Sequence, residues 1–304
     1  MSTVAIVGMG WVGASVAIST LHAGIARRLL VSDLRADLAE GEAMDLGHGA
    51  AFYPRASVRA VALDDLASDP VDVVVIAAGR GGSADESRLQ LLRDNVSIAR
   101  SIGRKLAGYG GVVVCVTNPV DVFTHALLAA SGLPPSRVIG TGTALDTARL
   151  RHVLARELSM DARSIHAQVV GEHGDSEVAL FSSVTVGGAR LRSRATWSRD
   201  KEARVAEEVR RAAYEIIRRK GTTNHAIGLA TSDVLRAILR DERRVLTVSR
   251  LQVGAVGLSG VTLSLPAIVD RHGAAEVLEP ELDVDERAAL DRSAEVLRAA
   301  LKNA

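Results

Sequence analysis

Short apolar runs, rich in β-branched residues, recur through the first half of the chain with amphipathic stretches between them. TVAIV (3–7), LLVSD (29–33), VRAVAL (58–63), VDVVVIAA (71–78), GVVVCVT (111–117) and RVIG (137–140) are apolar throughout rather than alternating with polar residues. That is the pattern of strands covered on both faces. Helical patterns lie between several of them. WVGASVAISTLHAG, for one, closes on Gly24, a residue type suited to ending a helix. Strand, helix, strand at this spacing predicts an α/β fold with a doubly wound parallel sheet.

After about residue 145 the texture changes. SIHAQVV and VALFSSVTVGG read as paired strands, followed by a charged helix over about 200–219 and another over about 226–240. The terminal stretch places Leu290, Ala294, Leu297 and Leu301 on one helical face. A chain of 304 residues exceeds the usual ceiling for one hydrophobic core. Two domains are expected, residues 1–143 and an α+β domain over 144–304. No repeat or low-complexity linker separates them, so they should pack closely.

Composition narrows the function classes. Hydrophobic content of 47% with 24% charged residues describes a globular protein, and a net charge of +1 offers no field for nucleic acid or an anionic membrane. The single cysteine, Cys115, sits in an apolar run and reads as a buried structural thiol. The N-terminus enters a strand at once, and no apolar run reaches the length of a membrane span. A cytoplasmic protein is expected. No Cys/His cluster suggests a metal.

Chemistry enters at Gly8-Met9-Gly10-Trp11-Val12-Gly13, a G-x-G-x-x-G that leaves a strand and opens a helix. Gly8 allows the tight turn, Gly10 lets the backbone approach a pyrophosphate, and Gly13 lets the helix sit close to the strand. The helix N-terminus then presents free N–H groups to the phosphates. Asp33, 20 residues beyond Gly13 at the end of the second strand, is placed to accept hydrogen bonds from ribose hydroxyls. The whole pattern predicts a Rossmann domain. A carboxylate there repels a 2′-phosphate, which favours NAD over NADP, although Arg35 stands nearby.

Three further segments carry reactive groups. Asp146 and Arg149, three residues apart, share a helical face. His173 lies in GEHGDS between glycines at the end of an apolar strand, whereas His22, His152 and His272 read as ordinary packed or solvated histidines. Arg88 follows Gly81 and Gly82 in AAGRGGSADESRLQLLRDN, where a glycine-rich loop runs into a helix. Gly79 to Gly82 read as a flexible hinge and an unfilled tip.

Taken with EAMDLGHG (42–49), ESRL (86–89), TNPVD (117–121), IGTGTALDTAR (139–149) and KGTTNHAIG (220–228), these segments resemble the L-lactate/malate dehydrogenase family over essentially the whole chain. GEHGDS is more similar to the lactate and L-2-hydroxyacid branch than to the malate branch. The resemblance implies NAD as cofactor and a small 2-oxo acid as substrate. His173 would give the proton to the carbonyl and take it back in reverse, with Asp146 fixing its tautomer and raising its pKa. Arg149 would clamp the substrate carboxylate with two parallel hydrogen bonds, and Arg88 would polarise the carbonyl. Asn118 and Thr223 would contact the nicotinamide side and the substrate pocket. Trp11, Val12, Ala78, Gly79, Asn95, Thr117 and Asn118 would join the glycines and Asp33 around the dinucleotide.

In this family substrate choice is attributed to a loop position that counts back from Arg88 to Gly82. Neither the glutamine of lactate enzymes nor the arginine of malate enzymes stands there. Pyruvate reduction with tolerance of bulkier 2-oxo acids is expected, with malate chemistry an alternative if Arg80 supplies the cation. His225 either lines the pocket or faces solvent. Arg151 and His166 match residues that bind fructose 1,6-bisphosphate between subunits in allosteric relatives, and the resemblance implies a homo-oligomer, a dimer or a tetramer. Two rival readings are an NAD-dependent glycosidase, which needs metal ligands, and a non-catalytic NAD-binding protein, which would not need Arg88, Asp146, Arg149 and His173 together.

Overall fold

The computed structural model describes residues 2–68, 70–81 and 87–304, with the side chains of Ala67, Ser68 and Arg88 outside that description. The first half alternates as its apolar runs require. β1 (Thr3–Val7), α1 (Trp11–His22), β2 (Arg28–Ser32), α2 (Ala36–His48), β3 (Ser57–Ala60), β4 (Val73–Ile76), α3 (Arg88–Lys105), β5 (Val112–Cys115), α4 (Val120–Ser131), β6 (Val138–Gly140) and α5 (Ala144–Leu158) follow in order. Among these strands the neighbours are β3-β2-β1-β4-β5-β6, and each pair is parallel.

Alternate residues of β1 enter opposite cores. Val4 and Ile6 pack with Val16 and Leu21 of α1, while Ala5 and Val7 pack with Val96 of α3 and Phe123 and Leu127 of α4. Helices on both faces explain why the central strands are apolar at every position. β3 departs from that pattern, because its residues alternate exposed and half-buried. It lies at the end of the strand order, where one face is only partly covered. α1 closes on Ala23, and Gly24 follows it with φ +61°, so the glycine serves one residue beyond the cap.

The second half begins with short ladders. β7 (Ile165–His166), β8 (Val169–Val170), β9 (Val178–Ala179), β10 (Thr185–Val186) and β11 (Ala189–Arg190) are two-residue strands, and the two apolar runs pair as β7 with β10 and β8 with β9. α6 (Arg199–Lys220) and α7 (His225–Leu239) follow. β12 (Arg244–Val253), β13 (Ser259–Asp270) and β14 (Gly273–Val277) then extend the large sheet antiparallel beyond β6, and α8 (Val284–Asn303) ends the chain. The nine-stranded sheet therefore runs through both halves. A separate small core gathers Leu150 and Leu154 of α5, Phe181, and Val205 of α6.

β12 is hard to see in sequence because it buries Thr247, Ser249, Arg250 and Gln252. Each has partners: Thr247 bonds Thr147, Arg250 donates to the Ala274 carbonyl, and Gln252 donates to the Leu263 carbonyl. Such buried polar residues erase the apolar run that marks a strand, although Gln252 Oε1 has no hydrogen-bond partner. No described helix is long and apolar enough to cross a membrane.

Candidate active site

The glycine loop occupies the carboxyl end of β1. Gly8 has φ +96°, and a Cβ there would fall 2.4 Å from the Ala78 nitrogen. A Cβ on Gly13 would fall 1.9 Å from the Gly8 carbonyl oxygen, so α1 can sit this close only with glycine. Gly10 is different, since a Cβ there meets nothing within 4 Å. It faces open space, which is what a backbone approach to a pyrophosphate requires. That space belongs to a cavity of about 910 Å³ lined among others by Gly8, Gly10, Asp33, Arg35, Ala78 and Gly79. Trp11 and Val12 form the first turn of α1, with Trp11 exposed and Val12 packed against the core.

Asp33 accepts the Met9 N–H at 2.7 Å and the Arg35 N–H at 3.0 Å, which fixes its carboxylate beside the glycine turn. The Arg35 side chain lies 4.0 Å from the same carboxylate and is largely exposed. Gly79 is not a free hinge. A Cβ there would fall 2.2 Å from Thr117 Cγ2, so glycine allows two strand ends to touch. Asn95 is 1% exposed, accepts the Arg80 N–H and donates to the carbonyls of Arg80 and Asn118. Its amide shapes the wall beside Gly79. Thr117 likewise donates its hydroxyl to the Ala78 carbonyl at 2.8 Å, while the Asn118 side chain is exposed.

These differences separate the glycines by experiment. Gly10→Ala should leave the thermal midpoint within about 2 °C while weakening NADH binding at least about tenfold. Gly13→Ala should lower the midpoint by about 5 °C or more, because α1 must move off β1. Calorimetry and NADH fluorescence titration read both effects, and undiminished NADH affinity in Gly10→Ala would contradict this assignment.

The reactive groups meet at the start of α5. Asp146, 1% exposed, bridges two cations: Arg149 donates to Oδ1 at 2.8 Å, and His173 Nδ1 lies 2.5 Å from Oδ2. Burial by itself would lower the His173 pKa, but the Asp146 carboxylate outweighs it and lifts the imidazole to about 9. Burial would raise Asp146, yet His173 and Arg149 together hold it below the usual carboxylate range. The imidazolium is thus the favoured form at neutral pH, with Nε2 left to face a reactant.

His173 is held by its backbone as well. Its N–H donates to Asp121 Oδ2 at 2.8 Å, and Gly171 before it, at φ +86°, exchanges hydrogen bonds with Ser264 of β13. Glu177 stands nearby with its carboxyl pushed up to about 8, by burial first and then by the charge of Asp146. Sequence reasoning did not single out Asp121, Ser249 or Glu177. Asp121 lies inside TNPVD and Glu177 directly follows GEHGDS, but nothing in their spacing marks them as buried.

Arg88 opens α3 behind the Ser87 cap, which accepts the Gln90 N–H at 3.1 Å, while its side chain and Gly82 lie outside the described residues. Arg80 forms an ion pair with Asp94 of α3. Thr223 is half-buried in the loop joining α6 to α7, and His225 is exposed at the first turn of α7. Arg151 is half-buried and donates to the Ala167 carbonyl at 3.1 Å, next to the exposed His166. Among the described residues no His/Cys/Asp/Glu group could hold a metal ion.

Comparison with known proteins decides the family. Residues 2–140 match the lactate/malate dehydrogenase NAD binding domain, and residues 143–304 match the alpha/beta C-terminal domain of the same family. The chain belongs to the lactate/malate dehydrogenase family. Within that family it is 42% identical to the L-lactate dehydrogenase of Treponema denticola, over 98% of this chain and 96% of the relative. It is 45% identical to that of Gloeobacter violaceus, over 98% and 92%. The crystal structure of the minor L-lactate dehydrogenase of Enterococcus mundtii superposes with a TM-score of 0.95 at 37% identity, covering 99% of this chain and 98% of the other. This member of the lactate/malate dehydrogenase family is an oxidoreductase with an NAD-binding domain.

Proposed function

We propose that the protein is an NAD-dependent L-lactate dehydrogenase that interconverts pyruvate and L-lactate. The observation that carries this reading is the Asp146 carboxylate shared between His173 and Arg149, in a chain whose relatives bear that name. The open space at Gly10 and the Asp33 carboxylate on the same cavity fit NAD. Asp33 would meet the ribose hydroxyls, and its charge disfavours a 2′-phosphate. Bound there, the reduced nicotinamide supplies the hydride.

The chain's own residues do the rest. His173 Nε2 donates its proton to the carbonyl oxygen and recovers it in the oxidative direction. Arg149 uses the guanidinium N–H groups not engaged by Asp146 to hold the substrate carboxylate. Arg88 would stabilise the developing alkoxide from the loop side, and Thr223 would line the substrate pocket. A cytoplasmic location agrees with the lone Cys115 thiol, buried and inert.

Pyruvate is preferred over oxaloacetate in this reading, because Arg80 is engaged by Asp94 and not free to meet a second carboxylate. The kcat/KM for pyruvate should exceed that for oxaloacetate by at least about tenfold, with measurable turnover of 2-oxoisocaproate. An oxaloacetate preference would favour the malate branch instead. Arg151 and His166, brought together at β7, support a fructose 1,6-bisphosphate site between subunits of a homo-oligomer. Repeating the pyruvate assay with the bisphosphate tests this, since an unchanged KM removes it.

A further inference from the structure

Three successive backbone N–H groups pin the loop that carries His173. Gly171 donates to the Ser264 carbonyl, Glu172 to Ser293 Oγ, and His173 to Asp121 Oδ2, each at 2.8 Å. These anchors come from β13, α8 and α4. Only the third is charged. Asp121 is 2% exposed, and its other oxygen accepts the Ser249 hydroxyl from β12.

Neither donor to this carboxylate is a cation. A buried charge held only by neutral donors is costly unless a compensating charge stands close by. Two features supply one. Asp121 lies in the first turn of α4, at the positive end of that helix. The second is His173 itself, whose ring feels the Asp121 charge favourably, while the Glu172 carboxylate opposes it. Asp146, Arg149 and Glu177 act on the same imidazole from α5 and the histidine loop.

We propose that Asp121 is a second positioning carboxylate for His173, holding its backbone by hydrogen bond and adding negative charge to the environment of the imidazolium. Asp146 grips the ring at Nδ1, and Asp121 grips the main chain from the dinucleotide-binding half. Asp121 follows Asn118 by three residues, across the Pro119 cap of α4, so a short segment joins the cofactor wall to the proton donor. Burial pushes the Asp121 carboxyl up to about 6, with the Ser249 hydroxyl and His173 N–H pulling it down. Asp121 is therefore ionised above about pH 6 while His173 stays protonated up to about 9. Both charges coexist between those limits.

The inference rests on His173 being the proton donor, and the test separates the two. Asp121→Asn keeps an oxygen for the His173 N–H and removes the charge. The upper limb of the pH profile of kcat/KM for pyruvate should move down by about 0.5 to 1 unit, and kcat should fall about tenfold, with NADH affinity unchanged. In the wild-type enzyme, 15N shifts of the His173 ring should show a second inflection near pH 6, where Asp121 takes its proton. Ser249→Ala should move that inflection upward. The NMR titration decides the matter should Asp121→Asn not fold. An unmoved upper limb in folded Asp121→Asn, or a wild-type ring without an inflection near 6 that Ser249→Ala moves, overturns the proposal. His173→Asn is the control: if it turns over pyruvate, the proton-donor reading fails. If it is inactive and the Asp121 effects are absent, only the Asp121 inference fails.

Discussion

His173→Asn should reduce pyruvate turnover by at least about 10³-fold, because it removes the imidazolium that delivers the carbonyl proton. NADH affinity should change less than about twofold, since the glycine-loop cavity does not include this residue. The same substitution removes one of two cations from Asp146, leaving Arg149 as its partner. The fold should therefore survive, and calorimetry should show a cooperative transition. In the wild-type enzyme the raised pKa sets the pH profile. His173 must be protonated to drive reduction, so kcat/KM for pyruvate should be flat between about pH 6, where Asp121 ionises, and about 9, and fall as pH rises through 9. Lactate oxidation needs the neutral imidazole and should rise towards the same value. A His173→Asn enzyme retaining a tenth of wild-type activity would show that the proton comes from elsewhere.

The residues of this site were legible in sequence to different depths, for physical reasons. Gly8, Gly13 and Asp33 could be placed because a strand–turn–helix forces a local spacing; in the structure the two glycines lie against backbone and Asp33 accepts the Met9 N–H. Asp146 and Arg149 share a helix, so their pairing follows from three-residue spacing. The meeting of Asp146 with His173, 27 positions away, is a tertiary fact that only family resemblance could anticipate. β12 stayed hidden because its buried serine, arginine and glutamine break the apolar pattern that reveals β1 or β5. Ser249 went unseen with it, and so did the role of Asp121. Asn95 and Thr117 are a different case. Each stands beside the cofactor wall, but their polar atoms are already committed to backbone partners.

Asp146→Asn tests the electrostatics at the centre of the site. An amide can offer one oxygen, to Arg149 or to His173, whereas the carboxylate serves both. Whichever way the amide turns, the negative charge that holds the imidazolium is gone. Burial and the Arg149 charge then lower the histidine's pKa, opposed by the charge of Asp121. The pH limb near 9 should shift down by about two units or more, so that much of the enzyme is unprotonated at pH 7. A kcat/KM loss for pyruvate of about 10² to 10⁴ at that pH is expected, by analogy with other histidines deprived of a buried carboxylate. Activity should partly recover on acidification, which a merely misfolded variant would not do. KM should rise as well, because Arg149 loses the oxygen that aims its guanidinium. Asp121 remains in place in this variant and continues to hold the His173 backbone. The residual activity therefore measures what the main-chain anchor supplies without the ring partner. Should the limb stay near 9 in Asp146→Asn, the high His173 pKa would have to come from a group other than Asp146.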